Sequence, residues 1–100
     1  MNQKLLAVMP DRLNYLPGYD VSVAHSFEQA KSMILRMESQ CTPFDTLDLP
    51  ARDEKALWDF LNWMRRNCRN YPFSVFGCKD TKRFWKLCEE CRSKGFIFNT

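Results

Sequence analysis

Five side chains that can bind or process a phosphate group follow short apolar segments of this sequence. Asp11 and Arg12 come after the first such segment, and Asp48 ends a central one. Cys78 and Lys79 follow a later one. Two carboxylates can hold Mg²⁺ beside a phosphate oxygen, arginine and lysine bind phosphate directly, and a thiolate can act as a nucleophile. These residue types predict a phosphate site wherever the fold brings them together.

Five apolar segments have the length and composition of buried strands. The first is ended by Pro10, which cannot donate a ladder hydrogen bond, and the central one carries Asp48 at its carboxyl end. The five predicted strands are 4–9, 21–24, 44–47, 73–76 and 96–98.

Three helices are predicted between the later strands. Each begins after a side chain that can accept a hydrogen bond from a free N–H of the first turn, and Ser26 with Gln29 has capping-box spacing. The third helix ends at Lys94-Gly95, a cation followed by a glycine suited to a left-handed residue. The predicted capping residues are Ser26, Asp53, and either Asp80 or Thr81.

The order β-β-α-β-α-β-α-β predicts an α/β domain with a mostly parallel sheet and right-handed crossovers. We expect a small flavodoxin-like, receiver-like three-layer sandwich with five strands in the order 2-1-3-4-5 and three helices. The loop 11–20 stands where the first helix of that fold usually lies, and the last helix is missing. Ligands bind such sheets beyond the strand ends at the switch point, which predicts ligand binding by Asp11, Arg12, Asp48 and Lys79, with Asp11 and Asp48 as the metal ligands.

Length and composition indicate one domain over residues 1–100, because 45% of the residues are hydrophobic and a chain this long can bury a core. No apolar run approaches the roughly 18 residues that span a membrane, so no membrane partner is expected. Five cysteines form an odd set without an export signal, which predicts reduced thiols and a cytoplasmic protein.

Positive charge is concentrated in the second part of the chain. Residues 1–64 carry 6 Lys/Arg against 9 Asp/Glu, whereas residues 65–100 carry 9 against 3. A basic segment can attract nucleic acid. Cations on solvated helix faces are the favoured interpretation, because a basic cluster alone is a weak signal.

Two further patterns have a structural and a functional interpretation. Trp58 and Trp63 lie off the apolar stripe of the second helix, and they either widen its buried face, which we favour, or form a contact surface. Cys88-Glu-Glu-Cys91 has CxxC spacing inside a helical pattern. Because a structural zinc needs four ligands, two half-buried helix cysteines are favoured over a metal site.

The strand-end residues resemble the receiver-like superfamily, and in particular the cyclic-phosphate processing receiver domains. The resemblance covers nearly the whole chain through its element order and the missing first helix. Arg12 matches the arginine after that family's first strand, and Leu47-Asp48 matches its Leu-Asp after the third. Members are proposed to act on phosphate esters in RNA or nucleotide processing. The resemblance therefore implies a phosphorylated small molecule or RNA end as ligand, and a bacterial or phage origin.

Several of that family's acidic and histidine positions hold other residue types here. Leu49-Pro50 replaces a His and an Asp, and Phe76-Gly77-Cys78 stands where His-Ser is expected. Met9 and Pro10 stand at the positions of the family's paired acidic residues, unless the alignment shifts by one residue and Asp11 takes one of these positions. His25, the one histidine, matches none of the family's histidines. Because phosphoester chemistry needs an acid, a base or a well-liganded metal, these departures imply a degenerate site.

Three functions are compatible with these patterns. The preferred one is a non-catalytic or degenerate receiver-like module that binds a protein partner or a phosphorylated ligand. The alternative is a divergent Mg²⁺-dependent phosphoesterase with Asp48, Asp11 and Cys78 as its candidate catalytic residues. A second alternative is nucleic-acid binding through the basic residues 65–100.

Overall fold

The described residues form seven regular elements, which follow the predicted order up to the third helix. The fold is seen in a computed structural model, and the structure describes residues 2–12 and 17–99. The elements are β1 (Gln3–Val8), β2 (Tyr19–Ala24), α1 (Phe27–Ser39), β3 (Thr46–Pro50), α2 (Glu54–Asn67), β4 (Phe73–Phe76) and α3 (Thr81–Ser93).

The strands form one parallel sheet in the order β2-β1-β3-β4. This confirms the α/β class, the parallel sheet and the three helices. The predicted fifth strand is wrong, because the segment 96–98 makes only an isolated bridge from Phe98 to Phe73. Its alternating pattern reflects packing, since Phe96 and Phe98 are buried while Ile97 is 48% exposed.

The three helices cover one face of the sheet. Leu6 and Val8 of β1 share one buried cluster with Leu47 and Leu49 of β3 and with residues of all three helices. The neighbours Leu5 and Ala7 point to the opposite face and lie outside that cluster. Helices on a single face agree with right-handed crossovers. The connections from β2 to β3 and from β3 to β4 both move toward the same edge of the sheet, so right-handed crossovers place their helices on the same face. The predicted three-layer sandwich is therefore, in the part of the chain that the structure describes, two layers.

Two predicted boundaries differ from the structure. β3 begins after Phe44 and continues to Pro50, so Asp48 lies inside the strand. The predicted loop 11–20 is shorter than expected because β2 already begins at Tyr19. Residues 13–16 of that predicted loop lie outside the described residues.

Side chains cap the helices largely as predicted. The Ser26 hydroxyl accepts from the Gln29 N–H at 3.0 Å, but the side-chain Oε1 of Gln29 accepts from the backbone N–H of His25 at 2.6 Å, one residue before the expected donor. Asp53 caps α2, and Asp80 rather than Thr81 caps α3. These bonds satisfy backbone donors that a helix start leaves free.

Trp58 and Trp63 widen the buried face of α2, as the favoured interpretation expected. Both are partly buried and pack against the core. Cations lie over their outer faces, with Lys94 Nζ 4.3 Å from the Trp58 ring centre and Lys31 Nζ 5.4 Å from that of Trp63. Trp85 is 53% exposed.

The CxxC cysteines belong to the core. Cys88 and Cys91 are fully buried in α3, and burial raises the pKa of both thiols, that of Cys91 to about 11. Within residues 2–12 and 17–99, no three His, Cys, Asp or Glu side chains gather as a metal site would require. No described helix is long and apolar enough to cross the lipid bilayer.

Candidate functional site at the carboxyl edge of the sheet

A cleft at the carboxyl edge brings together three of the predicted site residues. Asp11, Arg12 and Asp48 line it with Pro10 and Phe76, around a volume of about 320 Å³. The parallel sheet produces this meeting, because β1 and β3 are neighbours and their carboxyl ends reach the same edge.

Asp48 is held on the helix-free face of the sheet. It pairs in register with Ala7 of β1 and Ser74 of β4, so its side chain points away from the core. Burial raises the pKa of its carboxyl group. Its carboxylate has no hydrogen bond or ion pair with a described residue. A half-buried carboxylate without a partner is costly to keep ionised.

Asp11 is paired with a cation that the sequence reasoning missed. The guanidinium of Arg52 donates to the Asp11 carboxylate and lies 5.5 Å from the centre of the Phe76 ring. The position of Arg52 could have been inferred, because it follows the carboxyl end of β3 in the same way that Asp11 follows β1.

Gly77 makes room for Arg52. Its φ of +78° is a left-handed conformation that favours glycine. A Cβ at this position would lie 3.0 Å from Cγ of Arg52. The glycine after β4 therefore allows the Arg52 side chain to cross toward β1.

His25 lies in an adjoining cavity, which the sequence reasoning also missed. This cavity of about 480 Å³ is lined by Met9, Pro10, Asp11, Val23, His25 and Arg52. The parallel register pairs Val8 with Ala24, so the residues that follow them emerge side by side. Met9 has a φ of +47°, and its N–H donates to the carbonyl of Ala24 at 2.8 Å.

Cys78 and Lys79 are separated from the cleft of Asp48. They line a third cavity of about 350 Å³ together with Arg52, Glu54 and Arg83. Burial, and next the charge of Glu54, raise the pKa of the Cys78 thiol. A nucleophilic cysteine requires the opposite shift, so the geometry does not favour Cys78 in that role.

Among the described residues, Arg12 is the one cation that lines the cleft. It is exposed and forms no ion pair with any described residue. In contrast, Arg52 is engaged by Asp11, and Arg83 donates to Glu54 through its Nε at 2.6 Å. A guanidinium can donate two parallel hydrogen bonds to an oxyanion.

Several cations of the basic segment 65–100 are used within the protein. Arg65 donates to the carbonyl of Lys94 and lies 3.9 Å from the Phe96 ring centre. Arg69 lies beside Glu38 and the Tyr71 ring, and Lys94 covers Trp58. These contacts agree with the structural interpretation of the charge asymmetry.

Comparison of the chain with protein-family models, with curated proteins and with solved structures found no significant match.

Proposed function

We propose that the protein is a receiver-like binding module that holds the phosphate group of a ligand in the cleft of Asp11, Arg12 and Asp48 and does not catalyse a reaction of that ligand. The observation that carries the proposal is the exposed Arg12 guanidinium, which lines the cleft and lacks an ion-pair partner among the described residues. It lies at the edge of a parallel sheet where ligands usually bind.

The arrangement of charges supports binding over catalysis. Arg52 and His25 line the adjoining cavity, which shares Pro10 and Asp11 with the cleft, so a cation and a hydrogen-bonding imidazole border the cleft on one side. Burial raises the pKa of the Asp48 carboxyl group, and no described residue forms a hydrogen bond that would orient it as a base. The thiol of Cys78 lies in a different cavity.

Mg²⁺ fits this proposal as an accessory ion. Asp11 and Asp48 would hold it, since magnesium commonly takes one or two carboxylates and fills its remaining positions with water and phosphate oxygens. The ion would neutralise Asp48 beside the ligand. Asp11 would have to exchange part of its contact with Arg52.

A titration with inorganic phosphate, followed by amide NMR with and without Mg²⁺, tests the proposal. We expect saturable shifts at residues 10–12, 48 and 76. Arg12→Ala should weaken phosphate binding about tenfold or more, because a hydrogen bond to a charged group contributes about 1.5–3 kcal/mol. The matched control is Arg36→Ala, which removes an exposed arginine in the last turn of α1.

The same titration separates the roles of charge and metal. Without Mg²⁺, Asp48→Asn should strengthen phosphate binding, because it removes a repelling carboxylate. With Mg²⁺ it should weaken binding. Shifts of equal size in Arg12→Ala and in the unmodified protein would overturn the cleft as the site.

The phosphoesterase alternative has its own decisive result. Metal-dependent hydrolysis of cyclic or linear phosphate esters that Asp48→Asn abolishes would replace binding by catalysis. We expect no such hydrolysis.

A further inference from the structure

β2 is an edge strand, and no described residue pairs with its outer side. β1 lies on its other side, and the carbonyls of Gly18 and Ala24 accept from Gln3 and Met9 of that neighbouring segment. Because backbone groups alternate in direction along a strand, the odd residues Tyr19, Val21 and Val23 turn their N–H and C=O outward. These groups form no hydrogen bond with a described residue.

On the opposite edge of the sheet, the first residue of β4 is covered by the segment that follows α3. The N–H of Phe73 donates to the carbonyl of Ile97 at 3.0 Å, and its carbonyl accepts from Asn99 at 2.7 Å. Natural sheets normally protect an exposed edge with lysine, proline, a bulge or a covering segment. Within β2 the only charged side chain is Asp20.

The side chains of this edge are apolar. Tyr19 and Val21 are each 37% exposed, and Val23 is partly buried on the same face. Their register with Gln3, Leu5 and Ala7 places all three on the helix-free face. Aromatic and β-branched residues of this kind form favourable cross-strand pairs.

We propose that a second copy of this chain pairs with β2 antiparallel, about a two-fold axis at Val21. This register uses all three outward residues of each copy, since Val21 faces Val21 of the partner subunit and Tyr19 faces Val23 of the partner subunit. Such an interface is self-complementary, as a two-fold axis requires.

The charge of Asp20 selects that register. With the axis at Val21, Asp20 lies opposite Ser22 of the partner subunit, a hydroxyl donor for a carboxylate. An axis at Asp20 would oppose two carboxylates, which is unfavourable, and an axis at Ser22 would leave Tyr19 unpaired. The result is a continuous eight-stranded sheet.

The pairing also extends a cavity of the candidate site. Val23 lines the cavity that holds His25 and Asp11. In the dimer, Tyr19 of the partner subunit lies beside Val23, so the partner adds an aromatic wall. This inference rests on the strand edge and does not depend on phosphate binding.

Analytical ultracentrifugation of the full chain tests the association. We expect a species of twice the 11.9 kDa chain mass at high micromolar concentration. Val21→Pro should return it to the monomer, because it removes an outward N–H and leaves the bonds to β1 intact. A monomer at every concentration would overturn the proposal.

Disulfide trapping in a Cys41→Ser background tests the register. Val21→Cys should cross-link under oxidation, because directly opposite residues have Cα atoms about 5.5 Å apart, within the disulfide range. Val23→Cys is the matched control on the same edge and should not cross-link with itself. If Val21→Pro is still a dimer, this interface is excluded. Equal cross-linking of Val21→Cys and Val23→Cys also excludes it.

Discussion

At the scale of single residues, the cleft depends on which charges already have partners. Asp11 and Arg52 form an ion pair across the ends of β1 and β3, whereas Arg12 and Asp48 have no ion-pair partner among the described residues. Asp48 lies on the helix-free face of the sheet, where burial raises the pKa of its carboxyl group. A partly buried carboxylate with no partner among the described residues lowers stability when it is ionised.

Asp48→Asn should stabilise the free protein at neutral pH. Because its pKa is raised on folding, the folded state binds this proton more readily than the unfolded chain, and stability from this group increases as pH falls. We expect a melting temperature a few degrees higher for the variant at pH 7. The difference should vanish once both states are protonated, well below the ordinary pKa of aspartic acid.

Thermal unfolding across this pH range, without phosphate or Mg²⁺, measures the effect. A lower melting temperature for Asp48→Asn at pH 7 would show that the carboxylate has a stabilising partner. Asp45→Asn is an unsuitable comparison because Asp45 accepts from the N–H of Lys4 at 2.7 Å. Asp59→Asn is the better control, since Asp59 lies exposed on α2 and its ion pair with Lys55, which is also exposed, contributes little to stability.

At the scale of elements, patterns within a segment predicted more than patterns between segments. The β4 boundaries and the cap of α2 follow from local spacing and agree with the structure. The fifth strand could not be distinguished from an extended packed segment, because both show alternating apolar residues. Arg52 and His25 were missed because their importance depends on which strands become neighbours.

The two candidate caps of α3 give a direct test at this scale. Asp80→Ala should lower the free energy of unfolding by about 1 kcal/mol, because the Asp80 carboxylate accepts from the Arg83 N–H at 2.8 Å. Thr81→Ala should change it by less than about 0.5 kcal/mol, as exposed substitutions usually do. Urea unfolding measures both. Equal losses would mean that Thr81 shares the capping role.

At the scale of the whole molecule, the two faces of the sheet have different roles. One face packs against three helices and contributes the core. The other carries Asp48 and Phe76 toward the cleft and Tyr19 and Val21 toward the open edge. Sequence alone predicted helices on both sides because the receiver-like fold has them, but here every helical connection runs in the same direction.

Leu5 and Leu6 test this division within one strand. Leu6→Ala should cost about 2–5 kcal/mol of unfolding free energy, because Leu6 is fully buried among residues of the helical layer. Leu5→Ala should cost less, although Leu5 is only 7% exposed. Chemical unfolding of the two variants makes the comparison. Equal costs would indicate a second packed layer of similar density.

Gly77 links parts of the molecule that are far apart in sequence. Any side chain at this position would meet Arg52, which in turn holds Asp11. Because Gly77 has no side chain, Arg52 can pass the end of β4 and hold the Asp11 carboxylate at the end of β1. A substitution at Gly77, which follows a strand two places away from β1 in the sheet, would therefore alter the cleft that Asp11 lines.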